Sequence, residues 1–435
     1  MTRTKRESVH HIAAARAAGL GVPIKILKGL GPGLVTGAAD DDPSGIATYS
    51  QTGAQFGFSL LWTMVLTYPL MSAIQLVAAQ IGRVSGHGLA NAMRQVIGAR
   101  LTTALVGLLL IANTINIGAD IAAMGEAGEL VTGLSAHALT VLIALVSVAM
   151  QLAIPYHRYA PILKWLTLAL FAYVALILAL RIDWRAVAVG LVVPHVSGSG
   201  AALTIVAIFG TTISPYLFFW QCAQEVEEIA QHPGARLLKD APEEAPAELR
   251  RIRFDTLTGM AISNIVAIAI MIGTAATLHV EGVTTIGTAA DAARALRPIA
   301  GDFAFALFSL GIIGTGLLAV PVLAGSAAYA VGDMRGWRAS LESRPRDARG
   351  FYTVIVLATM LGIAIDWSPI DPMRALFWSA VINGIAAVPI MVAMMVVARR
   401  TAVMGPFLIR PLLAATGWLA TLAMAAAAIA MICTA

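Results

Sequence analysis

Cysteine is almost missing from this 435-residue chain. The two present, Cys222 and Cys433, lie far apart within apolar segments. That excludes a disulfide framework and a thiolate metal cluster. Charge is scarce as well. Asp, Glu, Lys and Arg make up 12% of the residues, whereas soluble domains carry about 25%. No Ser/His pair and no His-Glu-x-x-His motif sits inside an apolar run, which argues against an intramembrane enzyme. Met1 to Ala18 is basic and polar, so no secretory signal is expected there.

What is abundant is apolar. The chain is 58% hydrophobic, with a mean hydropathy of +0.81. Runs of bilayer length recur at 27–56, 60–81, 101–124, 136–154, 160–180, 201–222, 257–278, 303–330, 351–365, 375–397 and 412–433. This predicts an all-α polytopic membrane protein with eleven segments. Residues 1–26 read as a cytoplasmic N-terminal segment and 27–435 as a single transmembrane domain. With the N-terminus inside, the outer loops hold only Arg181, Arg185, Arg294, Arg297 and Arg374; every other Lys and Arg falls inside. This bias favours a multi-pass protein of the cell membrane, N-terminus cytoplasmic and C-terminus outside. It also accounts for the net charge of +5 without a nucleic-acid partner. The polar stretch from Glu225 to Arg253 can be a gate or a solvated cytoplasmic connector, and charge runs favour the connector. Residues 289–300 have helical spacing and are expected to cap the outside.

Two segments are interrupted. The first runs through Gly31-Pro32-Gly33 into Asp40-Asp41-Asp42-Pro43-Ser44-Gly45 and then turns apolar again. A carboxylate deep in a bilayer normally faces a cavity or an ion path. A Pro-Ser-Gly break frees backbone carbonyls, which is tolerable only where they line a cavity. The sixth segment carries Thr211-Thr212-Ile213-Ser214-Pro215-Tyr216 at mid-span. Pro69, Pro321 and Pro389 read as simple kinks. Segments one and six open two five-helix units of opposite orientation, 27–182 and 201–398, with an eleventh helix at 406–433. Interrupted helices at matching places of an inverted repeat point to a transporter's central site. Their carbonyl ends carry partial negative charge, which suits a cation.

These residues resemble the signatures of the natural resistance-associated macrophage protein (NRAMP) metal transporters. Asp42-Pro43-Ser44-Gly45 is similar to the family's Asp-Pro-Gly-Asn, and Ser214-Pro215-Tyr216-Leu217 to its Met-Pro-His-Asn. Asp120 resembles an acidic position in the third helix. The resemblance implies a LeuT-type fold and a cation held by Asp42, Gly45, Ser214 and the carbonyl of Thr211. Asp41 is a second acidic candidate, and Asn383 is a further one because the tenth helix lines the site in this fold. On a helical path Asp41 and Asp42 point about 100° apart.

The departures from the family pattern carry expectations of their own. The family's amide is lost at Gly45 and its thioether at Ser214, leaving an oxygen-only site that should be roomier. Hard ions prefer oxygen, and Mg2+ keeps several waters. The pattern is therefore most like the NRAMP-related magnesium transporter branch, with Mn2+ also passing. The family's Asp-x-x-Glu pair reads Asp120 and Ala123, its sixth-helix His is Tyr216, and all eight histidines fall in loops or helix ends. A proton relay needs titratable groups in series, so uncoupled uptake of Mg2+ is expected. A divalent ion gains about 4.6 kcal/mol per 100 mV, twice the single-charge value. Asp120 is expected to bond Asn113, Asn116 or Thr114. The alternatives are a proton-coupled Mn2+/Fe2+ transporter of the NRAMP type and an amino-acid symporter of the same fold. No cofactor is expected; the partners are a divalent metal ion and the lipid bilayer, and the chain is expected to be monomeric.

Overall fold

A chain in hydrocarbon must satisfy its backbone hydrogen bonds within each segment, which leaves helices for sequences of this kind. The computed structural model describes residues 32–434 apart from 157, 159–166, 197, 199, 232–234 and 368, and these form helices and no strand. The N-terminal segment, the start of segment one and the first third of segment five lie outside the described residues.

The main helices are α1 (Pro32–Asp40), α2 (Pro43–Phe56), α3 (Trp62–Ser85), α4 (Leu89–Ile97), α5 (Ala99–Thr132), α6 (Ala136–Ala153), α7 (Phe171–Ala179), α8 (Trp184–Val192), α9 (Ala201–Thr212), α10 (Pro215–Gln231), α11 (Ala245–Thr274), α12 (Ala304–Arg335), α13 (Arg349–Ile363), α14 (Pro372–Val397) and α15 (Pro411–Thr434). Eight helical spans among the described residues are long and apolar enough to cross a membrane, and α7 and α13 are shorter apolar helices. The chain is a multi-pass membrane protein. Pro69, Pro321 and Pro389 sit inside uninterrupted helices, as expected of kinks. Residues 289–300 form two short helices, Ala289–Arg294 and Arg297–Ala300. The first starts at a Thr288/Asp291 capping box.

Both expected breaks are present. Between α1 and α2 only Asp41 and Asp42 leave the helix; between α9 and α10 only Ile213 and Ser214 do. The broken helices are held by close neighbours: α1 packs on α11, α9 on α14, α2 on both α11 and α14, and α10 on α3. Small residues permit this approach. At the α9–α14 crossing, a Cβ on Gly210 would lie 1.9 Å from the Ala380 carbonyl oxygen and 2.8 Å from Gly384 Cα.

The ends of the polar stretch 225–253 correct the connector reading, while its middle, with Arg236 and Glu243 exposed, is a connector. Glu225 and Glu227 belong to α10 and are buried. Arg251 Nη2 lies 2.7 Å from Glu225 Oε2, and Arg83 Nη2 lies 3.1 Å from Glu248 Oε2. Arg251 Nε also reaches Glu248 at 3.1 Å, joining the two pairs. Glu227 accepts a short hydrogen bond from the Tyr329 hydroxyl. At these ends the expectation failed because the partners that bury the charges come from α3, α11 and α12.

Candidate metal site

The first break is built by a helix cap. Pro43 is at the start of α2, where its fixed φ and missing N–H cost nothing. Asp42 is the N-cap, with extended backbone at φ −70° and ψ 169°. Its Oδ1 accepts from Ser44 Oγ at 2.7 Å and Gly45 N at 2.8 Å. Its Oδ2 accepts from Asn116 Nδ2 on α5 at 3.0 Å. Asn116 Nδ2 also lies 3.3 Å from Asp120 Oδ2, and Asn383 Nδ2 on α14 donates to Asn116 Oδ1 at 3.3 Å. Asp42, Asn116, Asp120 and Asn383 are all buried.

Asp40 and Asp41 take the other direction. Both lie within hydrogen-bond distance of Ser263 Oγ on α11, Asp40 Oδ2 at 2.6 Å and Asp41 Oδ1 at 2.9 Å, and share its single O–H. The three consecutive acids therefore do not converge on one point. Among the described residues no group of three or more His, Cys, Asp or Glu side chains is arranged to hold a metal. Any site here must combine carboxylates with amide, hydroxyl and carbonyl oxygens.

The second break supplies such oxygens. Ser214 Oγ donates to the carbonyls of Thr211, at 3.0 Å, and of Gly210, closing the end of α9 and leaving its own lone pairs unused. The Tyr216 hydroxyl reaches back to the Ala39 carbonyl at 3.0 Å, tying the first turn of α10 to the last turn of α1. Sequence reading missed this tie, because it compared Tyr216 only with a titratable His. Thr211 Oγ1, Asn383 Oδ1, Asp120 Oδ1 and Asp40 Oδ1 are buried without a hydrogen-bond partner.

The space beside Gly45 is not open. A Cβ on Gly45 would meet Thr211 Oγ1 at 3.2 Å, a Tyr49 ring carbon at 3.3 Å and the Asp40 carbonyl at 3.4 Å. The space left by the smaller residue is filled by its neighbours. No Lys or Arg forms an ion pair with Asp40, Asp41, Asp42 or Asp120 among the described residues. Several buried acids without a fixed cation leave room in the charge balance for a mobile one.

Above α2 and α9 an open crevice of about 170 Å3 runs down to Ala47, lined by Gln51, Gln55, Thr204, Ile286 and Trp378. Gln51 clamps the loop beside it, donating to the Thr284 carbonyl at 3.1 Å and accepting from Ile286 N at 2.8 Å.

Two broken helices around buried acids, each backed by helices of the other half, define a membrane transporter of the LeuT type. Solved chains share this fold. A manganese transporter from Eremococcus coleocola superposes with a TM-score of 0.71 at 17% identity, covering 95% of this chain and 88% of that one. Mhp1, a nucleobase-cation-symport-1 family transporter, gives 0.58 at 14% identity over 93% and 92% of the two chains. The model of the natural resistance-associated macrophage protein-like family matches residues 33–434, and the chain belongs to that family. Its members are transporters, not enzymes. "Divalent metal cation transporter MntH" of Deinococcus radiodurans is 26% identical over 405 residues, 91% of this chain and 87% of the relative. The protein of the same name from Acidiphilium cryptum is also 26% identical, over 87% and 84%.

These findings correct the expected function. The relatives carry the name of divalent metal cation transporters, and no finding singles out a magnesium-specific branch. Uncoupled Mg2+ uptake is therefore set aside. One physical premise behind it also fails, since Gly45 does not open space for a hydrated ion. Asp120 bonds Asn116, as expected, and the same amide reaches Asp42.

Proposed function

We propose that this protein is a secondary transporter of divalent metal cations, chiefly Mn2+, coupled to protons in the manner of the NRAMP family. The observation that supports this most is the Asp42 cap at the first break, buried and without a paired Lys or Arg among the described residues. In this reading Asp42 binds the ion, with the Thr211 carbonyl, Ser214 and Asn383 supplying further oxygens and Gly45 the close backbone approach, while Asp41, turned toward Ser263, stays outside the ligand set. Carboxylate and carbonyl oxygens suit Mn2+, and a compact site is harder for Mg2+, which gives up water reluctantly. Asp120 is the candidate proton carrier. Residues 27–435 form one transporter domain of two inverted repeats and an eleventh helix. The basic residues favour an N-terminus in the cytoplasm and a C-terminus outside, which directs the open crevice outward.

The test uses proteoliposomes loaded with a pH indicator. Mn2+ is expected to enter and to carry protons with it, above an empty-liposome control, and a tenfold excess of Mg2+ is expected to leave most of the uptake intact. Wild-type uptake of Mn2+ without any change of internal pH would remove the coupling. An organic-solute symporter of the same fold fits less well, because Asp40, Asp41 and Asp42 repel a substrate carboxylate at the break.

A further inference from the structure

We propose that Asn116 is a positioning residue that aims two ligands of the cation at once, Asp42 and Asn383. The inference rests on the proposed function, and it concerns a residue that no motif marks.

An asparagine amide offers two N–H donors and a carbonyl oxygen with two lone pairs, and Asn116 uses both donors and one lone pair at this point of the fold. Its nitrogen serves Asp42 Oδ2 at 3.0 Å and Asp120 Oδ2 at 3.3 Å. Its oxygen accepts from Asn383 Nδ2 at 3.3 Å. Three consequences follow. The first concerns Asp42. Its Oδ1 is already committed to Ser44 Oγ and Gly45 N, so the bond from Asn116 fixes the plane of the whole carboxylate and the direction of the lone pairs left for an ion. The second concerns Asn383. With its nitrogen turned toward Asn116, its Oδ1 is left buried and without a hydrogen-bond partner. The amide is thus oriented with an oxygen, the atom a cation needs, free. The third concerns Asn116 itself. Asp120 lies one helical turn away on α5 and holds the same nitrogen, so the amide cannot swing off when Asp42 engages an ion.

Only an amide does this. Leucine has the size and neither bond; aspartate would set a third acceptor between two carboxylates. Residues that orient metal ligands without touching the metal typically cost about 10- to 100-fold in metal affinity or activity when removed.

The test measures Mn2+ uptake kinetics in proteoliposomes for wild type, Asn116→Leu, Asn116→Ser, Asn383→Leu and the double variant Asn116→Leu/Asn383→Leu. Each is first checked for a monodisperse elution profile; Asn116→Ser, the smaller change, serves if the leucine variant does not fold. Both Asn116 variants are expected to raise the KM for Mn2+ by about 10- to 100-fold with kcat changed far less. The double variant is expected to be little worse than Asn116→Leu alone, because Asn116 acts partly through Asn383 and coupled residues are not additive. A KM within about twofold of wild type, a loss confined to kcat, or a strictly additive double variant overturns the inference. The proposed function fails separately, if wild type itself takes up no divalent cation.

Discussion

The two ends of the broken helices differ. At the α2 and α9 end, side chains stand apart around a crevice of about 170 Å3, and the contacts that cross it are neutral hydrogen bonds from Gln51. At the α1 and α10 end the chain is shut. Tyr216 ties α10 to the Ala39 carbonyl, the backbone N–H of Gly33 donates to Asp255 at 2.6 Å, and Glu225, Arg251, Glu248 and Arg83 form a chain of ion pairs. The difference shows how such a molecule can expose one site to two sides. One end closes with charge-assisted bonds, which are strong when shielded from water; the other closes with bonds weak enough to release a loop. The buried acids sit between the two locks.

The largest effect is expected at that midpoint. Asp42→Ala should abolish Mn2+ uptake while the purified protein still elutes as a single species. The variant removes the carboxylate and also the α2 cap, which alone costs about 1 kcal/mol. Asp42→Asn keeps a capping side chain and is the companion variant; it should also lack uptake. Transport at the wild-type rate by either one would show that the ion does not depend on this break, and the comparison of the two ends would lose its centre.

The closed end should yield next. Arg251→Ala leaves Glu225, whose side chain is fully buried, without its partner, and hydrogen bonds to charged groups are worth about 1.5–3 kcal/mol. Arg251 itself is 23% exposed, which places the effect toward the lower limit. A thiol probe already exists there. Cys222 is buried on α10, its sulfur 3.6 Å from the His87 carbonyl, while Cys433 is exposed. In a Cys433→Ser background, maleimide should label Cys222 slowly in wild type and about tenfold faster in Arg251→Ala, the change expected for about 1.4 kcal/mol. Equal labelling rates would mean that the ion pairs do not keep this end shut.

The two helix breaks were legible in the sequence, and the features that shape the candidate site between them were not. Proline beside small polar residues marked both breaks, because a helix cannot pass through such a run in hydrocarbon. Asp120 bonds Asn116, one of the partners expected for it. Other features depend on neighbours far away in sequence. The divergence of Asp40 and Asp41 from Asp42 follows from the extended backbone at Asp42 and from Ser263, more than two hundred residues away. A helical projection separates Asp41 from Asp42 but cannot say what each meets. Gly45 read as open space because composition shows what a residue lacks, not that Thr211 and Tyr49 fill the gap. The short helix α4 escaped notice for a different reason. Its nine residues are too few and too polar to stand out between two long apolar runs.

The smallest effect is expected at the open end. Gln51 is the one residue of α2 whose amide holds the backbone of residues 284–286 with both its nitrogen and its oxygen. The loop continues into Ala289–Arg294, whose first N–H donates to Glu126 on α5 at 2.9 Å. The loop is thus fixed to α5 at one point and to α2 at another. If α2 moves to close the crevice, the Gln51 contacts must change, as must the His279 bond to the Ala54 carbonyl. Two neutral hydrogen bonds are worth about 1 kcal/mol each, and less where water can replace them, as at Thr284. Gln51→Ala should therefore change the Mn2+ uptake rate by about two- to fivefold, with KM nearly unchanged, because no proposed ligand is touched. Gln51→Glu sharpens the point. It keeps the acceptor for Ile286 N and loses the donor to Thr284, so its effect should fall between wild type and Gln51→Ala. A large rise in KM for either variant would place Gln51 on the ion's own path instead of on the loop that covers it, and the open end would then be a second binding region.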